Sequence, residues 1–332
     1  MGLNSRLSGF QPRQNEILID KSRRVNYRFV IGRSRVRLPS LAPFFYRVNI
    51  LQILILGLVQ GAAELLPVSS SAHVIIAEKL MGLDPSSPEM TFLLVMLHTG
   101  TMFAVIAYFW KAWSKHYFSR AERLRDIVVR VVIATAITGV IGLGLQFVIE
   151  KTFLKHAEKA EVEQLFSQLP LIGAALLAAG ILIIYAGIRR DNQPGGHDVR
   201  TGDAWWIGMI QGLCLPFRGF SRSGATISLG MLLGVEKIRA EQFSFGLAVV
   251  LTPAVIAKEW LRLLKAHSDV TQPSHLVHLA GPGLFGMVCS FVAGLVALWL
   301  LSSWLEQGRW KFFGYYCVVA AIVVFGLASA GF

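Results

Sequence analysis

Charge is scarce in this chain. Asp, Glu, Lys and Arg make up 16% of its 332 residues, whereas soluble domains carry about a quarter. Apolar side chains reach 54% and mean hydropathy is +0.55, which excludes soluble enzyme folds and places the chain in a bilayer. Cysteine is nearly absent: Cys214, Cys289 and Cys317 stand alone in apolar segments without CxxC spacing, so neither a disulfide framework nor a thiolate metal site is implied. A secretory signal is also missing, because the basic N-terminal stretch is long and no small-residue cleavage site follows a short apolar core.

The charge that exists is unevenly placed. Formal net charge is +12, and ten of the 32 Lys and Arg precede residue 48, among them Arg23, Arg24, Arg28, Arg33, Arg35 and Arg37. In so apolar a chain such clusters read as lipid contacts or topology signals rather than as a nucleic-acid surface. Composition changes after residue 47, giving a basic N-terminal extension (1–47) and an integral membrane domain (48–332). The extension reads either as a disordered tail or as a start site assigned too far upstream.

Six stretches are long and apolar enough to cross about 30 Å of hydrocarbon: approximately 91–111, 127–149, 169–189, 242–264, 281–303 and 312–330. Two more, at about 50–81 and 204–235, are apolar but interrupted by LLPVSSSAH and LPFRGFSRSGAT. Broken apolar segments of this kind predict re-entrant helix-loop-helix pairs. GLVQG at 57–61 returns as GMIQG at 208–212, an offset of 151 residues, and each is followed by Pro and Ser. The chain thus reads as two repeats, about 48–190 and 204–332. An odd number of crossings separates them, so the second is inverted. The expected fold is an all-α polytopic membrane protein with six transmembrane helices and two re-entrant pairs in an inverted-topology repeat, their polar tips meeting near the midplane.

Lys and Arg crowd the loops near 111–130, 189–203, 235–241 and 304–311, whereas those near 150–168 and 265–280 hold only Lys151, Lys155, Lys159 and Lys265. By the positive-inside rule the first set is cytoplasmic, which puts both termini and the mouth of the first motif outside. The basic tail runs against this orientation, and the loops are given the greater weight.

The chemistry sits in the two interruptions. Gln60 and Glu64 are four residues apart and share a helix face, and an ionisable Glu at membrane depth costs about 2.5–3.5 kcal/mol, which calls for a reason. A structural hydrogen bond to another helix is the plain alternative. Pro67 ends that half-helix, and Ser69, Ser70 and Ser71 offer N-caps for a second one. Its free N–H groups and positive dipole end suit a phosphate. His73 follows on the same face as Ser69 and Ser70. In the second motif Gly219 and Gly224 permit close backbone approach, Ser221 and Ser223 can cap or donate, and Arg222 presents a planar fork for phosphate oxygens, or else pairs with Glu64 to hold the halves together. Thr226 lies one turn beyond. His98, Lys258 and Glu259 are weaker candidates: His98 could line the cavity, and the other two fit an interfacial pair.

QGAAELLPVSSSAH resembles the (E/Q)xxxE and PVSS-x-x-H signature, and RGFSRSGATIS the PGxSRS-x-x-T signature, of the bacterial undecaprenyl-diphosphatase, or bacitracin-resistance, family. The resemblance covers about residues 48–332. It implies hydrolysis of undecaprenyl diphosphate to undecaprenyl phosphate and inorganic phosphate in the inner membrane, and the loop charges above predict a site open to the periplasm. That reaction recycles the lipid carrier for peptidoglycan synthesis and confers bacitracin resistance. The resemblance further implies a divalent cation, Mg²⁺ or Ca²⁺, and a polyprenyl diphosphate substrate among membrane lipid; the clustering of polar residues gives Glu64, helped by Gln60, as the cation's expected ligands. Homodimerisation is left open, and no nucleic acid is involved. The functional residues carried over are Gln60, Glu64, Ser69, Ser70, His73, Ser221, Arg222 and Thr226, with Ser70 or a metal-bound water attacking and His73 as general base or acid. Arg218 stands where the family usually has Pro, with Pro216 two residues earlier, and is read as an additional phosphate contact. A polyprenyl-phosphate flippase using the same inverted repeat is the alternative.

Overall fold

The computed structural model describes residues 48–84, 87–153, 168–193, 195–217, 219–266 and 273–330. Among these residues there are ten helices and no strand: α1 (Ile50–Leu65), α2 (Ser70–Leu80), α3 (Pro88–His116), α4 (Ala121–Phe153), α5 (Leu169–Arg190), α6 (Thr201–Cys214), α7 (Arg222–Leu232), α8 (Lys237–Ala266), α9 (Pro273–Glu306) and α10 (Trp310–Ser329). The basic extension lies outside the described residues.

Six helices, α3, α4, α5, α8, α9 and α10, are long and apolar enough to cross a membrane, at the six places expected. They begin or end several residues beyond the apolar runs where charged turns continue the helix, as at Glu122, Arg123 and Arg125 in α4. Large apolar side chains face outward along them, Val140 at 72% exposure among others. Water would not tolerate such a surface over this area, and lipid does.

The four short helices form two pairs, α1–α2 and α6–α7, broken at the two polar motifs. Asn49 and Gln52 start α1 with a reciprocal capping box, each backbone N–H 2.8 Å from the other's side-chain oxygen. Pro67 supplies no N–H to continue the helix, and the chain turns through Leu66 to Val68 before α2 begins. In the second pair Ser221 caps α7, its Oγ accepting from the Gly224 N–H at 3.2 Å.

The repeated glycines explain how α1 and α6 dock. A Cβ on Gly61 would lie 2.5 Å from the Ser290 carbonyl oxygen and 2.6 Å from Ala293 Cβ, both on α9. On Gly208 it would lie 2.5 Å from the Ala134 carbonyl oxygen on α4. Backbones therefore touch, as at small-residue interfaces in membranes. Thr138 of α4 reinforces the second contact by donating to the Gly208 carbonyl at 3.0 Å and accepting from Gln211 Nε2 at 3.1 Å.

Alanine raises helix propensity by about 0.8–1 kcal/mol over glycine, but overpacking against backbone costs roughly 1–3 kcal/mol. Gly61→Ala and Gly208→Ala are accordingly expected to lower the melting temperature in detergent. Gly139→Ala, where nothing lies within 4 Å of the new Cβ, should leave it unchanged or raise it. A melting temperature for Gly61→Ala at or above that of the parent would refute backbone-close packing.

Candidate active site

The ends of α1 and α6 and the starts of α2 and α7 enclose a cavity of about 230 Å³. Its polar lining residues are Glu64, Ser69, Ser70, Ser221, Arg222 and Ser223, and its apolar ones are Ala63, Cys214, Leu215, Phe217 and Phe220. The two motifs, 158 residues apart at Glu64 and Arg222, thus face one space. Arg222 Nη2 donates to Glu64 Oε1 at 2.9 Å, with side chains 22% and 17% exposed. This ion pair is one of the alternatives the sequence allowed, and it lies in the cavity wall.

The other carboxylate oxygen belongs to the first motif. Ser70 Oγ donates to Glu64 Oε2 at 2.5 Å and Gln60 Nε2 donates to it at 3.5 Å. Gln60 is buried and stands behind the carboxylate rather than in the cavity. Ser223 Oγ reaches across to the Leu66 carbonyl at 3.4 Å. A Cβ on Gly224 would approach Pro67 Cβ to 3.2 Å, so glycine there lets α7 start close against the break between α1 and α2. Gly219 has φ +105°, and a Cβ would meet the Ile172 carbonyl oxygen at 2.5 Å. Only glycine satisfies both demands.

Ser69 sits at the N-cap of α2 with φ +69°, the one non-glycine residue with positive φ among the described residues. Such a conformation costs on the order of 1–3 kcal/mol and collects at functional sites. His73 braces it: Nδ1 is 2.7 Å from the Ser69 carbonyl oxygen, while the helical bond from the His73 backbone N–H to that oxygen is stretched to 3.5 Å.

The positions expected from sequence divide by placement. Glu64, Ser69, Ser70, Ser221 and Arg222 line the cavity. His73 does not: its second nitrogen, Nε2, lies 2.7 Å from Tyr316 Oη of α10, with the two rings stacked at 5.7 Å. Thr226 is fully buried behind Arg222, its hydroxyl donating to the Arg222 carbonyl at 2.8 Å and 2.6 Å from Ser244 Oγ. His98 Nδ1 is satisfied by the Leu94 carbonyl in its own helix at 2.8 Å. Arg218 and the side chains of Lys258 and Glu259 lie outside the described residues.

The geometry is matched by kinship. Residues 53–323 fit the family model described as Bacitracin resistance protein BacA. The chain belongs to this BacA family. Undecaprenyl-diphosphatase 2 of Acinetobacter baylyi is 56% identical over 285 residues, 85% of this chain and 99% of that protein. Undecaprenyl-diphosphatase of Desulfosudis oleivorans is 34% identical over 290 residues, covering 81% and 95%. That of Korarchaeum cryptofilum is 31% identical over 293 residues, covering 84% and 100%.

Three contributors to this BacA-family site were missed from sequence. Ser223 stood in the motif but was not chosen as a site residue. Tyr316 and Cys317, whose thiol donates to the Pro67 carbonyl at 3.2 Å, sit in an apolar crossing helix more than 240 residues from the first motif. Nothing local marks them.

Proposed function

We propose that this chain is an integral membrane phosphatase that hydrolyses undecaprenyl diphosphate to undecaprenyl phosphate and inorganic phosphate. The observation that carries the reading is the mixed lining of the one cavity that both motifs enter. Arg222, Glu64 and serine hydroxyls at the starts of two helices line it together with Leu215, Phe217 and Phe220. A diphosphate attached to a prenyl chain calls for both kinds of lining. The names of the relatives agree.

The Arg222 guanidinium and the starts of α2 and α7 hold the diphosphate. Ser221 and Ser223 orient its oxygens, and Thr226 acts through the Arg222 backbone. Ser70 is the nucleophile: its proton passes to Glu64 as Oγ bonds the terminal phosphorus, and the bond to the bridging oxygen breaks to release undecaprenyl phosphate. Water then cleaves the serine–phosphorus bond and frees phosphate. Glu64 is the proton acceptor because Ser70 already donates to it at 2.5 Å, whereas both ring nitrogens of His73 are engaged elsewhere. His73 steadies the Ser69–Ser70 backbone.

A divalent cation fits this donor set in one manner. Among the described residues no three His, Cys, Asp or Glu side chains gather to hold a metal; Glu64, the acid that lines the cavity, would hold Mg²⁺ or Ca²⁺ together with the diphosphate, and Gln60 would support that carboxylate from behind. Bound there, the cation would neutralise phosphoryl charge.

The broken pairs α1–α2 and α6–α7 are read as re-entrant segments of an inverted repeat. Support comes from their exchanged partners: α1 docks on α9, and its counterpart α6 docks on α4, the counterpart of α9. With the basic loops cytoplasmic, the site of this inner-membrane protein opens to the periplasm. Purified protein in micelles, given undecaprenyl diphosphate and Mg²⁺, is expected to release one phosphate per lipid. Lipid movement across liposomes without phosphate release would replace the phosphatase by a carrier.

A further inference from the structure

We propose that the turn between α3 and α4 carries a second binding site, for the headgroup of a phospholipid that bears both a phosphate and a primary ammonium. A cavity of about 190 Å³ opens there, lined by His116, Tyr117, Arg123, Asp126, Arg130 and Asp198. Asp198 stands just before Thr201, where α6 begins, and Cys214 at the other end of α6 lines the active-site cavity. The 14 residues of α6 span about 20 Å, so a ligand held at the turn lies outside the active site.

Some of the lining groups are already engaged and others are not. Asp198 is engaged at both oxygens: Oδ2 lies 3.0 Å from His116 Nε2, and Oδ1 accepts from the Val199 N–H at 2.8 Å. Tyr117 is not. It is 4% exposed, and its Oη has no hydrogen-bond partner among the described residues. The charges around that oxygen belong to Asp198, Arg239 and Arg130. Arginines can only donate, so the phenol proton lacks an acceptor, a costly state for a buried group. Arg130 Nη2 comes no nearer a carboxylate than 3.9 Å, at Asp126 Oδ2, and Asp126 Oδ1 is equally far from Arg125 Nη2. A hydrogen bond of this kind needs about 3.2 Å or less, so Arg130 and Asp126 remain open to a ligand.

Charge decides the class of ligand. With His116 neutral, Arg123 and Arg130 balance Asp126 and Asp198, so a bare anion meets repulsion as well as attraction, whereas a zwitterion finds a partner for each end. Phosphate oxygens suit the two guanidinium groups and the Tyr117 hydroxyl. Asp126 is the carboxylate left for an ammonium N–H. The surroundings suit a lipid: Arg123, Asp126 and Arg130 share one face of α4, and beside it Leu124 and Val128 stand exposed, with Phe118 exposed on the turn. That apolar strip gives an acyl chain a course along the helix while its headgroup sits in the cavity.

Native mass spectrometry of the full chain, released from micelles holding equal amounts of phosphatidylethanolamine, phosphatidylcholine and phosphatidylglycerol, tests the proposal. One phosphatidylethanolamine should be retained roughly tenfold over either of the others, because a quaternary ammonium offers no N–H and a glycerol headgroup no positive charge. Asp126→Asn should bring phosphatidylethanolamine down to the level of phosphatidylcholine. Arg130→Gln should weaken retention of all three by about 10–100-fold, and Tyr117→Phe, which keeps the ring, by about 2–10-fold. Equal retention of the three lipids by the parent, or a phosphatidylethanolamine preference that survives Asp126→Asn, would overturn the proposal. Inorganic phosphate added at millimolar concentration should leave the bound lipid in place, and its displacement of the lipid would make the cavity a free-phosphate site instead. The parent comparison needs no variant and no diphosphate, so it stands or falls apart from the hydrolytic activity.

Discussion

Replacing Ser70 by Ala is expected to lower kcat for undecaprenyl diphosphate by roughly 10³-fold or more, with KM within about threefold. Ser70 Oγ sits 2.5 Å from the carboxylate that would take its proton, at the first residue of α2. Removing the hydroxyl leaves Arg222 and the helix ends in place, so binding survives while the attacking atom is gone. If water were the nucleophile, Ser70 would be one orienting donor among several, and its loss would cost about 10–100-fold. Phosphate release measured at saturating lipid separates the two ranges. Turnover within tenfold of the parent would remove Ser70 from the reaction.

Arg222→Ala should produce a loss of similar size, roughly 10³-fold, for a different reason. In the proposed reaction the guanidinium neutralises charge that moves onto the leaving phosphate, and arginines in that role are worth about 10³–10⁵ in phosphoryl transfer. It is also the partner of Glu64 at 2.9 Å, so its removal frees a carboxylate to repel the diphosphate. Arg222→Lys restores charge but not the planar fork, and it should recover only part of the rate. A melting temperature near that of the parent would assign the loss to chemistry rather than folding. Full recovery in Arg222→Lys would reduce the residue to a point charge.

Much of this site is legible in the sequence because polarity inside apolar segments has few structural excuses. Glu64, Ser70 and Arg222 stand out for that reason, and all three line the cavity. The six long helices are equally legible, since apolar runs of that length have little other use. Orientation of a side chain is another matter. Helical spacing puts Thr226 one turn from Arg222, yet its hydroxyl turns to the Arg222 carbonyl and Ser244, a partner on α8 that no spacing reveals. His73 looks like a proton carrier for Ser70, but the stretched bond at Ser69 draws one nitrogen and Tyr316 the other. The repeated glycines were readable as a repeat. Their use became visible only with Ser290 and Ala134 packed against them, because a contact between distant helices leaves no mark on either alone.

The claim beneath these expectations is that two motifs from opposite halves of the chain form one diphosphate-hydrolysing site, joined at Glu64 and Arg222. A double-mutant cycle on phosphate release with Glu64→Gln, Arg222→Ala and the pair together tests it most directly. Acting as a unit, the two residues should give a double variant about as slow as the worse single one, as expected of groups that serve the same step. Losses that multiply, each variant costing its full factor in the presence of the other, would contradict a shared site.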